Sequence, residues 1–224
     1  MEYGKFYVLI IILFLLGCQP KQVEYSYNKA IEDFVKETNY QISLTHFPKN
    51  LPKEFVNFSA IPPSCFSDYP YTSTSGEIYL ITKLITNDTK IDSLKSKALK
   101  IYDYYSNNNF IINIYNIDIK KTTDTFACLH KCNKYISGRY PIPCFELFDF
   151  GGKKLNNKKC KLSLSKVPGD LKVYVLRANN KIIWKEKCNK EKRPESLKQW
   201  KHGFSEGIAI SEKEKILVYW GIVW

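Results

Sequence analysis

Two stretches of this chain have residue types at a spacing that could support chemistry. The first is Gly203-Phe204-Ser205-Glu206-Gly207, which matches the nucleophile-elbow pattern G-x-S-x-G. That pattern throws a serine Oγ outward where a strand turns into a helix, and the triad acid and histidine follow later in the chain. Here the order is reversed, with a helical segment before the serine and a strand after it. No histidine follows Ser205, and His202 is adjacent in sequence only. The glycines are therefore read as flanking a helix-to-strand connection, and no residue is assigned a catalytic role. The second stretch is Cys128-Leu129-His130-Lys131-Cys132, three soft ligands within five positions. With Cys144 or Cys160 it could close a tetrahedral zinc site, but a second tight pair is missing. His46 reads as a loop residue, and Asp92 and Glu146 as isolated carboxylates. There is no phosphate-binding loop and no dinucleotide fingerprint. Neither a metal nor a cofactor is expected.

A different chemistry is written near the start. Phe6 to Gly17 is an unbroken apolar run that stops at Cys18. It is short of the roughly 20 residues a membrane span needs and fits the apolar region of a secretory signal. Leu15-Leu16-Gly17-Cys18 resembles the bacterial lipobox. The resemblance implies diacylation of the Cys18 thiol, cleavage after Gly17, and acylation of the new N-terminus. Two or more acyl chains make a durable anchor where one is marginal. Residues 1–17 are then the signal peptide, 18–25 an acylated tether, and 26–224 the folded domain. Gln19-Pro20 brings no acidic cluster behind the cysteine, so the leaflet stays open, with the outer membrane as the expected location.

Export reorders the remaining signals. The net charge of +12 would suit nucleic acid, but an exported lipoprotein does not meet it. The charge is read as a solvated surface with an attraction to anionic lipid or polysaccharide. The other six cysteines (Cys65, Cys128, Cys132, Cys144, Cys160 and Cys188) are an even number in an exported domain, which points to disulfides of open connectivity. Hydrophobic content of 44% against 25% charged is that of a globular chain and excludes composition-driven disorder.

Periodicity supplies the elements. Tyr27, Ala30, Ile31 and Phe34 predict a helix over 26–37. Residues 46–76 are interrupted by prolines, with room for a strand or turn around Glu54–Phe58 or for one wall of a binding site. Residues 78–85 and 110–119 read as strands, the second with a bulge. Between them, Ile91, Leu94, Ala98, Ile101, Tyr102 and Tyr105 predict a helix over 91–105, started by Thr89 and Asp92. Residues 145–150 read as a strand and 153–161 as a loop. Residues 171–178 with 181–187 read as a hairpin, 194–200 as a short helix, and 207–211 with 215–224 as a final hairpin. Lys215–Trp224 is apolar on both faces, which predicts a central, buried strand. Trp220 and Trp224 fall on one face of it and are assigned to the core. The expected fold is a single α+β domain, a mainly antiparallel sheet with one long and one or two short packing helices.

The C-terminal third resembles lipoproteins of Bacteroidales-type bacteria through Val173-Tyr174-Val175-Leu176, Trp200-Lys201-His202-Gly203-Phe204-Ser205, Gly207-Ile208-Ala209-Ile210-Ser211 and Tyr219-Trp220. The resemblance implies location and a shared fold and carries no reaction. The leading expectation is a non-enzymatic envelope module that binds a surface glycan or protein beside the membrane. The alternatives are a hydrolase of envelope glycan or peptide and a structural assembly factor.

Overall fold

The computed structural model describes residues 19–63, 75–106, 109–112, 135–151, 154–155, 164–181, 183 and 195–224. They form an α+β arrangement built on one six-stranded antiparallel sheet. Its strands are β1 (Phe55–Ile61), β2 (Gly76–Lys83), β3 (Lys100–Asp103), β8 (Lys172–Asn179), β9 (Phe204–Ser211) and β10 (Ile216–Val223). They lie in the order β1-β2-β10-β9-β8-β3. Two small ladders flank it: β4 (Ile111–Ile112) runs parallel to β5 (Ile142–Pro143), and β6 (Lys154–Leu155) is antiparallel to β7 (Leu164–Ser165). The last two long strands are the expected hairpin. β10 lies between β2 and β9 with every residue but Ile216 fully buried, as its two apolar faces require.

Two covers bury the sheet. On one face, Val218, Trp220, Ile222 and Trp224 join Val173, Val175, Tyr79 and Ile81 beneath Phe110, Phe145, Phe148 and Trp200. On the other, Leu217, Tyr219, Val223, Ile208 and Leu80 meet a helix, α1 (Gln19–Glu37), and the loop after it. Tyr27, Ile31, Phe34 and Val35 are the inward stripe of α1. The helix begins seven residues before the expected start. Pro20 permits this, because a first-turn proline lacks only an N–H that would have no intrahelical partner anyway.

The predicted helix over 91–105 is corrected. Only α2 (Thr89–Ser96) is helical, with Asp88 as N-cap, its carboxylate accepting from Lys90 N at 2.9 Å. The chain then extends into β3, which pairs with β8 from Lys100↔Val175 to Asp103↔Lys172. Spacings of three and four in the apolar pattern mimic a helix. The sheet wins because Tyr102 is buried beside Val173 while Ile101 faces out, which is strand alternation. Residues 145–147 form a 3-10 turn rather than a strand, and 153–161 is not all loop, since β6 falls within it. The proline-rich stretch carries β1, so the strand alternative around Glu54–Phe58 is the correct one. Most of the predicted 110–119 strand, with its bulge, and the second arm of the 171–187 hairpin lie outside the described residues. β3 occupies the edge of β8 over Lys172–Val175.

One glycine fixes how tightly β8 and β9 pack. Gly207 sits opposite a register shift in β8. A Cβ built on it would collide with the Tyr174 carbonyl oxygen and lie 2.9 Å from Trp220 Cζ2. The obstruction is backbone, which cannot rotate away. Gly207→Ala is expected to destabilise the domain by about 2 kcal/mol or more. Urea denaturation followed by tryptophan fluorescence checks this; an unchanged midpoint contradicts the packing described.

Candidate functional site

Ser205 lies inside β9 and is fully buried. Its Oγ has no hydrogen-bond partner among the described residues. A serine in mid-strand cannot be the exposed apex of an elbow. His46 is a loop residue as expected, in the turn after α1, but it is not exposed. It is buried on the α1 side, with Nε2 3.1 Å from the Trp220 carbonyl oxygen and its ring edge-on to Phe47. Burial pushes its pKa down to about 4. Of the cysteines, Cys144 is described; it is buried, and its Sγ donates to Glu146 Oε2 at 3.4 Å. Cys18, Cys65, Cys128, Cys132, Cys160 and Cys188 lie outside the described residues. Glu146 is not isolated, because the Tyr104 hydroxyl also donates to its Oε2. Among the described residues no cluster of His, Cys, Asp or Glu could hold a metal ion.

Two buried carboxyls escaped the sequence reading. Glu206 lies on the α1 side, paired with Arg177 (Nη1 to Oε1, 3.1 Å). Arg177 in turn donates to Ser43 Oγ at 2.6 Å and to the Gln41 carbonyl at 3.1 Å. This pins the post-helix loop to the sheet. Burial raises the Glu206 pKa, against the lowering effect of the Arg177 charge. Glu77, on the opposite face, is 4% exposed, and burial alone pushes its pKa up to about 8. In register it shares a row with Ile222 and Ser205. The β pattern marks which face such a residue takes, not whether a cover closes over it.

Where β10 ends, an aromatic cluster begins, with Trp224, Trp200 and Phe110 buried within it. Trp224 exchanges backbone hydrogen bonds with Gly203 (3.0 and 3.1 Å), and its Nε1 donates to the Trp200 carbonyl at 2.8 Å. Trp200 contacts Phe110 and Tyr140 edge-on at 6.4 and 6.1 Å between centroids, and Phe110 meets Tyr135 at 5.6 Å. Tyr135 and Tyr140 are half-buried and form the outer layer. Gln199 Nε2 donates to the Tyr135 hydroxyl at 3.0 Å, and Lys198 Nζ lies 5.1 Å from the centre of its ring. Hydrogen bonds from Ser137 and then Gln199 lower the Tyr135 pKa. Arg139 lies over the Tyr102 ring at 5.0 Å. Lys198 takes φ 49°, ψ −125° inside the 3-10 run Glu195–Trp200. A non-glycine residue is held there only when its surroundings dictate it. Half-exposed aromatic rings beside amide and cationic donors can stack on an apolar ring face while binding hydroxyl or anionic groups.

No family model, curated protein or solved structure matches this chain. No helix among the described residues is long and apolar enough to cross a membrane.

The two perturbed groups give opposite pH signatures. His46 has a folded pKa below its unfolded value, so its contribution is full above about pH 6.5 and is lost as pH falls towards 4. Glu77 has a folded pKa above its unfolded value, so the domain loses stability as pH rises from about 4.5 to 8. The His46 and Glu77 slopes oppose below pH 6.5; above it, up to pH 8, Glu77 acts in the same direction as Glu206, whose pKa burial also raises. Stability is expected to fall across that upper window, at up to about 1.4 kcal/mol per pH unit. Glu77→Gln should flatten most of the fall. Denaturant midpoints at pH 6.5 and 8 for both chains measure it; parallel curves contradict the assignment to Glu77.

Proposed function

We propose that this chain is an envelope lipoprotein of the Bacteroidales type, held at the membrane by acylated Cys18. We further propose that it acts as a non-enzymatic binding module for an envelope glycan. An aromatic platform of Tyr135 and Tyr140, packed on the buried Trp200, carries the binding half of this reading. Its rings are braced from beneath by Phe110 and Trp224, and Lys198 and Gln199 bond the outermost ring. Such bracing reduces the ordering cost of binding. The cations at the platform, Lys198 and Arg139, favour a glycan that bears carboxylate or phosphate groups. The anchor half rests on the lipobox resemblance at Leu15-Leu16-Gly17-Cys18. An acyl anchor suits a module that works beside the bilayer, because it confines the domain to the layer where envelope glycan is concentrated.

Both halves can be tested separately. Cys18→Ala is expected to abolish metabolic labelling with an alkyne fatty acid; retained label contradicts the anchor. Tyr135→Ala is expected to weaken binding to purified acidic envelope polysaccharide about tenfold, the loss of one stacked ring. Its labelling and its denaturant midpoint should stay as in the parent chain. Equal affinity in calorimetric titrations of the two chains contradicts the platform.

A further inference from the structure

The opposite end of the sheet carries a second surface, and α1 indicates what it meets. The C-terminal end of α1 lies beside the upper strand ends: Asn39 Nδ2 donates to the Ile183 carbonyl at 3.4 Å, and Gln41 accepts from Arg177. Tyr27 is at mid-sheet on the β1 side, with its hydroxyl donating to Pro48 O at 2.8 Å and its ring 4.9 Å from that of Phe58. The helix continues eight residues further, to Gln19, or about 12 Å at 1.5 Å per residue. It therefore runs on past Tyr27 on the β1 side of the sheet, heading away from the upper end.

That corner carries exposed apolar residues and lysines, with Asp88, Asp92 and Glu212 lining a pocket beside Ile85. Phe55 is 38% exposed and Val56 41%, at the lower start of β1. Phe55 pairs with Thr82, and three residues on, past the end of β2, Ile85 is 68% exposed. Lys49 and Lys53 are exposed in the segment leading into β1. The acid beside them, Glu54, is engaged by Lys83 at 2.7 Å. Exposed large apolar side chains interleaved with lysines are what an anionic bilayer surface binds, the rings entering the interface and the ammonium groups meeting phosphates.

We infer that Phe55, Val56, Ile85, Lys49 and Lys53 form a membrane-docking face that lies flat against an anionic lipid surface. The inference rests on the Cys18 anchor proposed above, and it adds an orientation. Trp200 packs on Trp224, next to the Val223↔Gly76 pair at the other end of β2, about 23 Å up an eight-residue strand, so this part of the platform faces away from the bilayer. Each lysine adds roughly 1 kcal/mol of attraction near an anionic surface. Because the anchor holds the face at high local concentration, weak docking is enough to fix the orientation.

Hydrogen–deuterium exchange of the full chain, purified from membranes and floated on vesicles, tests this. Phosphatidylcholine vesicles with and without phosphatidylglycerol are compared. On the anionic vesicles, amides over 48–57 and 84–88 should exchange about tenfold more slowly, equivalent to about 1.4 kcal/mol of protection. Those over 99–105 should not change. Lys49→Glu with Lys53→Glu should erase the slowing while flotation persists. A chain that floats but shows no slowing over 48–57, or slows over 99–105 instead, overturns the docking face and leaves the anchor standing. A chain that does not float on either vesicle overturns the anchor and the docking face together.

Discussion

Strand β10 is buried on both faces, and the rest of the molecule follows from that burial. A sheet with one wet face needs one cover; this one needs two, from a chain with two described helices. α1 and the loop over residues 38–51 supply the first. The second comes from short turns and two-residue ladders packed through Phe110, Phe145, Phe148 and Trp200. Irregular segments used as covers bring polar groups with them. His46 is buried in that way, while Glu77 in β2 and Ser205 and Glu206 in β9 are strand residues that the two covers close over.

The two covers manage their polar groups differently. On the α1 side, the Glu206–Arg177 pair is tied to Ser43 and Gln41, and His46 caps a strand carbonyl. Breaking a buried charged pair by removing one partner leaves a buried charge and is costly. That network therefore commits the loop to one position and sets the direction of α1. On the other side, Glu77 is stored in its protonated form, and Trp220 Nε1 and Ser205 Oγ have no partner among the described residues. This side trades polar satisfaction for close aromatic packing.

Much of the sheet was legible in the sequence. The two-sided apolar run of β10 and its hairpin with β9 follow directly from pattern, and so do β2 and the core placement of Trp220 and Trp224. The 91–105 segment was not legible, because Ile91, Leu94, Ile101 and Tyr102 satisfy a helical period until the competition for the edge of β8 is known. The buried acids were hidden for a related reason. A single glutamate in an apolar strand reads as an outward-facing residue until a second cover exists. The aromatic cluster was only half visible: its residues are evident in composition, but the packing of Tyr135 and Tyr140 on Phe110 and Trp200 is a tertiary effect.

The proposed membrane anchor would hold a domain oriented by α1, with the proposed binding platform pointed away from the lipid. The proposed orientation depends on Cys18 as the point of attachment. The most direct measurement is tandem mass spectrometry of the N-terminal peptide of the protein extracted from its native membrane. The account predicts a peptide that begins at Cys18, carries a diacylglyceryl group on the thiol, and is acylated on the α-amine. An unmodified peptide that spans Gly17 and Cys18 would contradict it.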